Sequence, residues 1–255
     1  MIEDLIIALK SKDLWVYLAW HDIVSKYRRT TLGPLWSILI TASSIICMSV
    51  LGSILFKINL KDFLPHVACG MVIWTFISSI IIESCLVFIG QAGLIQNIKL
   101  PLLSFVLRMF LRNAILFLHS FVILFVVLIL FSSINAHFFL MIPSFLIYLI
   151  NAVAIGVLLG FFASRYRDII YIIQALLNII VLMTPIMWKV EMLGEYSILA
   201  NLNPFTHFIA LFREPLLGQS INTFSLKYVV VFTVINSTLA HYLYSRFKNR
   251  LIFWL

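Results

Sequence analysis

Charge is scarce in this sequence. Asp, Glu, Lys and Arg together make up 11% of its 255 residues, against 63% hydrophobic ones, and the mean hydropathy is +1.09. A soluble domain of this length has neither the interior to hide so much apolar surface nor the charged shell to cover it. A water-soluble enzyme is thereby excluded. Cysteine is rarer still: Cys47, Cys69 and Cys85 all lie inside apolar runs without metal-ligand spacing. They read as small core residues, not as a disulfide framework. The nine glycines are scattered and form no Gly-x-x-x-x-Gly-Lys-[Ser/Thr] loop, so the chain has no P-loop cradle for a phosphate chain and any ATP is hydrolysed by another subunit.

Acids and bases are equally sparse where a membrane enzyme would need them. His21, His66, His119, His137, His207 and His241 fall on six different elements. Glu83 is the sole acid inside an apolar span. That disfavours both a membrane-embedded enzyme of glycan-lipid assembly and an ion-coupled carrier, the two readings from other function classes. Internal repeats of the kind seen in inverted-repeat carriers are absent. Met1–Lys10 carries Glu3 and Asp4 around a short apolar stretch, so no cleavable signal peptide is expected.

What the chain does have is long apolar runs. Six spans are expected at about 35–56, 64–89, 104–131, 141–164, 169–187 and 226–247, each near the roughly 20 residues a bilayer requires. The 255 residues then form one all-α membrane domain. The net charge of +8 does not point to nucleic acid, because the basic residues cluster at the ends of the spans. Thirteen Lys and Arg fall on one side and five on the other, which places both termini in the cytoplasm. Residues 1–30 read as an interface helix lying along the membrane: Ile2, Leu5, Ile6 and Leu9, then Val16, Trp20, Ile23, Val24 and Tyr27, share one face. At 188–225 the segments Ile198–Leu202 and Phe205–Phe212 are apolar but too short to cross, and Pro185, Pro204 and Pro215 punctuate them. They read as re-entrant or interfacial helices.

Four groups of polar residues stand out. Glu83 and Arg112 both lie roughly 10–12 Å deep at about 1.5 Å per residue, so Glu83 is expected to pair with Arg112 or Arg108, as a helix clamp or as part of a relay. Ser37, Thr41 and Ser44 share one face of the first span, and Tyr171, Gln174 and Asn178 share one face of the fifth. Such stripes meet either another helix or a wet path for a hydroxyl-rich solute. Arg28 and Arg29 are either positive-side anchors or, as paired guanidiniums at headgroup depth, ligands for a pyrophosphate, and Trp36 behind them suits the interface. Gly156 and Gly160 suggest close helix packing.

Tyr27-Arg28-Arg29-Thr30-Thr31-Leu32-Gly33-Pro34-Leu35-Trp36 resembles the opening signature of type-2 ABC-transporter permeases that export polysaccharide. The polar link Gln91–Pro101, Arg165-Tyr166-Arg167-Asp168-Ile169, Thr184-Pro185-Ile186-Met187-Trp188, Asn203-Pro204-Phe205 and Arg213-Glu214-Pro215-Leu216 follow in the order that family shows. The resemblance implies a homodimer of the permease with two copies of an ABC nucleotide-binding subunit, which holds the ATP and Mg²⁺; this chain carries no cofactor. It implies a coupling helix at 91–101, built from Gln91, Gly93, Leu94, Gln96, Asn97 and Lys99, that docks on the ATPase. It implies a glycan channel lined by the first and fifth spans, and lateral access near Arg28 and Arg29 for an undecaprenyl-type lipid-linked glycan drawn from membrane lipid. An outer gate would form at 188–225 around Asn203, Pro204, Phe205 and Phe208. The implied activity is export across the inner membrane of O-antigen, with capsule or teichoic acid as alternatives.

Overall fold

The computed structural model describes residues 1–98, 100–131 and 136–255, and among the described residues the chain is helical without a strand. Helices α1 (Ile2–Lys10) and α2 (Lys12–Tyr27) part at Ser11, whose hydroxyl donates to the Ile7 carbonyl at 3.0 Å. Trp15 Nε1 donates back to the Ala8 carbonyl at 2.8 Å. Of the apolar residues expected to share one face, Ile2, Ile6, Leu9, Val16, Trp20 and Val24 are exposed, whereas Ile23 is buried. Gly33 then takes φ +54°, a left-handed turn that costs a glycine little, and delivers the chain through Pro34 into α3 (Leu35–Phe56).

The remaining helices are α4 (Leu60–Leu86), α5 (Ala92–Asn97), α6 (Leu102–Phe131), α7 (Met141–Arg165), α8 (Ile169–Met183), α9 (Ser197–Leu202), α10 (Pro204–Leu216) and α11 (Thr223–Phe247). Asparagine caps set two starts earlier than the hydropathy suggests. Asn59 accepts from the Lys61 amide, so α4 begins at Leu60 and not near 64; Asn222 accepts from the Phe224 amide, so α11 begins at Thr223 and not near 226. Five helices, α3, α4, α6, α7 and α11, are long and apolar enough to cross a bilayer. The other expected span, α8, is apolar but has 15 residues, about 22 Å at about 1.5 Å each. It stops at Met183, short of the expected 187, because Thr184 precedes Pro185 and is held extended (φ −94°, ψ 136°).

Helix α4 is the centre of the bundle and packs against α3, α6, α7, α8 and α10. Beside it Phe76, Phe110, Phe117, Phe145, Tyr148 and Phe212 form an aromatic cluster, with ring centroids 4.6 Å apart for Phe76–Phe117 and 4.8 Å for Tyr148–Phe212. Gly156 and Gly160 let α7 come close: a Cβ at Gly156 would stand 2.6 Å from Val106, and one at Gly160 2.7 Å from Val87 and Phe88. Cys69 and Cys85 are buried as expected, whereas Cys47 is exposed on α3.

The two chain ends share one end of the bundle. Tyr244 Oη, near the finish of α11, donates to Asp4 of α1 at 2.9 Å, and Lys248 Nζ lies 3.4 Å from the same carboxylate. The C-terminal turn Leu251–Phe253 packs against α5. Helices α9 and α10 lie at the opposite end, where α10 packs on the first half of α11 and on α7.

Candidate functional site

At the α5 end, one chain of polar side chains joins four elements. Arg108 of α6 is 8% exposed and grips Asp22 of α2 with two donors, Nε at 2.9 Å and Nη2 at 2.6 Å. Its Nη1 donates to Gln91 Oε1 at 3.0 Å, in the turn that leads into α5. One helical turn further on, Arg112 spans Asp22 (Nη1, 3.1 Å) and Glu83 of α4 (Nη2, 2.7 Å). Glu83 also accepts from Asn113 Nδ2, whose other bond returns to the Met109 carbonyl. The Glu83 pair is thus with Arg112, while Arg108 turns to Asp22. Charge-assisted and partly bidentate, these bonds are the strong kind, and they compensate charges that the bilayer side would otherwise reject. Asp22 is the residue sequence reasoning passed over. Its one signal was an acid on the polar face of an amphipathic helix, which reads equally well as solvated.

The segment 91–101 is α-helical only over Ala92–Asn97, after a 3-10 turn that ends at Gln91, because Ile98 is already extended (φ −129°, ψ 130°) on the approach to Pro101. Within α5, Ile95 is buried and anchors the turn, Leu94 is half-buried, and Gly93, Gln96 and Asn97 are exposed, with Asn97 Nδ2 closing on the Gly93 carbonyl at 2.7 Å. Lys99 lies outside the described residues. Arg28, Arg29 and Trp36 are exposed at the turn between α2 and α3.

The two polar stripes occupy different settings. Ser37 and Thr41 face a cavity of about 140 Å³ inside the chain, shared with Tyr27, Thr75, Ser79 and Asn113. Their hydroxyls, and that of Ser44, donate to carbonyls of their own helix end at 2.7–2.9 Å. Tyr171, Gln174 and Asn178 are exposed on α8, and none of them lines that cavity. Within one chain, therefore, the cavity that takes in the α3 stripe does not include the α8 stripe.

At the opposite end, Asn203 caps α10 by accepting from the Phe205 amide at 3.0 Å and ties it to α8 by donating to Thr184 Oγ1 at 2.9 Å. Pro204 sits at the first helical position, where its missing N–H is no loss. Phe205 packs edge-on to Trp74 (5.5 Å), and Phe208 is buried under Tyr148, whose hydroxyl donates to the Phe208 carbonyl at 2.7 Å. Pro204, Phe205 and Phe208 also border an apolar cleft of about 60 Å³ together with Tyr148, Asn151 and Phe232. A second, polar cavity of about 500 Å³ lies at the same end, walled by the start of α4, by α10 and by the start of α11, with Arg213, Thr206, His66 and His207 buried at its floor. Burial raises the Glu214 carboxyl at its edge above the usual range, against the pull of the Asn222 amide and Arg213.

The sequence profile described as ABC-2 type transporter matches residues 13–217, from the first turn of α2 to the end of α10. Compared with curated proteins, the chain finds no match. The profile covers well over half of the sequence and every helix of the ionic chain and of the polar cavity floor. The chain therefore belongs to the ABC-2 type transporter family, as a membrane-spanning permease subunit that pairs with an ATP-binding subunit.

Proposed function

We propose that this permease exports a lipid-linked polysaccharide, O-antigen first among the candidates and capsule or teichoic acid next, from the cytoplasmic side of the inner membrane. The observation that carries the reading is the polar face of α8. Tyr171, Gln174 and Asn178 are exposed on a helix whose other exposed residues are apolar, among them Ile172, Leu176 and Ile179. Lipid rejects such a face, so a second copy of the chain or a wet path covers it. In a homodimer, two α8 faces would border a passage suited to hydroxyl groups, with the short α8 completed as a crossing by the Thr184–Trp188 segment.

The excess of Lys and Arg at the end bearing α5 and both termini supports a cytoplasmic position for that end. There the exposed Gly93, Gln96 and Asn97 would meet the ATP-binding subunit, with two copies of that subunit serving the dimer. Arg28 and Arg29, exposed beside the turn into α3, would meet the pyrophosphate of an undecaprenyl-type carrier. ATP-driven closure then shifts α5, and Arg108 carries the shift to α2 through Asp22 while the dimer contact repacks between two arrangements.

Purification of the tagged chain in mild detergent tests this. A stoichiometric ATPase that is lost when 91–100 is replaced by a Gly/Ser linker, together with intracellular accumulation of a lipid-linked glycan in cells lacking the chain, is the expected result. A chain that purifies without any ATPase, or cells that accumulate no glycan, would overturn it.

A further inference from the structure

The cavity at the α10 end has a floor and a rim of different character. The floor is made of buried groups. Arg213 is 9% exposed; its Nη1 donates to the Pro185 carbonyl at 2.6 Å and lies 3.3 Å from His66 Nε2. Its Nε and Nη2 hydrogen-bond to none of the described residues, and no carboxylate among them comes within 4 Å of the guanidinium. Glu191 and Glu214 act on it only at longer range, and Glu214 Oε2 is already engaged by the Asn222 amide at 2.7 Å. Beside it Thr206 is 6% exposed, and its Oγ1 is buried without a hydrogen-bond partner among the described residues. His207, by contrast, is satisfied on both sides, by Ser225 Oγ and by the Asn201 carbonyl.

The rim is mixed. Lys61, Lys189, Asp62 and Glu191 offer donors and acceptors of both signs, and Phe224 lies exposed at its edge. Among the described residues, a buried guanidinium without a counter-ion and a buried hydroxyl without a partner each leave a desolvation cost unmet. Both belong to one cavity of about 500 Å³, well within the volume range of small-molecule sites. A guanidinium fork is matched by a planar carboxylate or by phosphate oxygens, and a mixed polar rim with an aromatic face suits hydroxyl groups and a sugar ring.

We infer that this cavity binds a hydroxyl-rich ligand bearing an acid group, its carboxylate or phosphate on Arg213, a neighbouring hydroxyl on Thr206, and the rest of the ring at the rim. The inference rests on the export reading for its biological source. It narrows the exported class to polymers that carry acidic groups on their sugars or between them, and it makes the α10 end a station through which such a polymer passes.

Saturation-transfer NMR on the full chain in lipid nanodiscs tests it, with sodium glucuronate, glucose and inorganic phosphate as probes. Glucuronate should bind at least about tenfold more tightly than glucose, and phosphate should compete with it. Arg213→Gln should abolish that preference. Thr206→Val, close to isosteric and away from the Pro185 contact, should weaken glucuronate several-fold while leaving the affinity for phosphate unchanged; it keeps the test informative if the arginine variant does not fold. Equal binding of glucose and glucuronate, phosphate binding with no gain from the sugar ring, or glucuronate binding unaffected by Thr206→Val would each overturn the inference. No ATPase is needed for the measurement, so its failure is separate from failure of the export reading, which shows as a chain that purifies without one.

Discussion

Asp22 and Arg108 are 86 positions apart in sequence and meet through two hydrogen bonds, Oδ2 to Nε at 2.9 Å and Oδ1 to Nη2 at 2.6 Å. Their side chains are 17% and 10% exposed, so the pair is largely out of water. With the Arg112–Asp22 contact and the packing of the two helices it ties α2 to α6, and the third donor of the Arg108 guanidinium reaches Gln91 ahead of α5. Gln91, ahead of α5, and Asp22, on α2, thus share one planar guanidinium.

Removing one partner of a buried pair leaves the other charged and unpaired, which costs about 3–5 kcal/mol. Asp22→Ala and Arg108→Ala should each destabilise the chain on that scale, and Asp22→Ala the more because Arg112 also loses a partner. The double variant should be far less harmful than the sum of the two. Thermal unfolding of the four proteins in detergent gives the cycle directly; additive losses would mean the two side chains do not interact.

The Glu83–Arg112 pair should behave differently although its 2.7 Å contact is as short. Its side chains are 29% and 27% exposed and border a cavity of about 220 Å³ shared with Gln91, and water entering that cavity would screen the pair toward about 1 kcal/mol or less. Arg112→Ala should therefore cost clearly less than Arg108→Ala in the same melts. Equal losses would show that Arg112 is more enclosed in the working protein than within a single chain.

How far the sequence reveals this site depends on how each contact is built. Glu83 and Arg112 were legible because antiparallel neighbouring spans bring equal depths together, and depth follows from counting residues. Asp22 was not, since pairing an interfacial helix with a span requires knowing where that helix lies and how it is rotated. Arg213 and Thr206 were hidden for a similar reason: their cavity is closed by Lys61, Lys189 and Asn222, which come from three distant parts of the chain. Phe205 and Phe208 were legible as aromatics near an interface, but not their packing against Trp74 and Tyr148 beside an apolar cleft shared with Phe232, which joins distant parts of the chain. Helix α8 ran too long in the sequence reading because hydropathy continues through Ile186 and Met187 while Pro185 has already forced Thr184 out of the helix.

Glycine positions separate packing from propensity. At Gly160 an added Cβ would lie 2.7 Å from Val87 and Phe88, both buried, so Gly160→Ala should destabilise by about 1–3 kcal/mol through overpacking. At Gly93 nothing lies within 4 Å and the backbone is helical. Gly93→Ala should therefore be neutral or stabilise α5 by up to about 1 kcal/mol, as alanine does in an exposed helix. Melting temperatures moving in opposite directions are the expected result, and a destabilising Gly93→Ala would place that residue against a surface that a single chain lacks.

Acid should loosen α1 first. Burial pushes the Asp4 carboxyl up, but the Tyr244 hydroxyl and Lys248, both within 3.4 Å, outweigh it and hold the group below its ordinary range. A carboxyl depressed in the folded chain adds stability that is fully present above its unfolded pKa, near about 3.9, and is lost as pH falls through the lower folded value. The link from α1 to the end of α11 should thus hold at pH 6 and weaken below about pH 4. Hydrogen exchange at residues 2–10, read at matched intrinsic rates, should show protection falling over that window in the natural chain. Asp4→Asn should show reduced protection already at pH 6 and a flat response below it. A natural chain whose α1 protection is unchanged down to pH 3 would mean that apolar packing of α1 on α6, rather than the Asp4 carboxylate, holds the first helix in place.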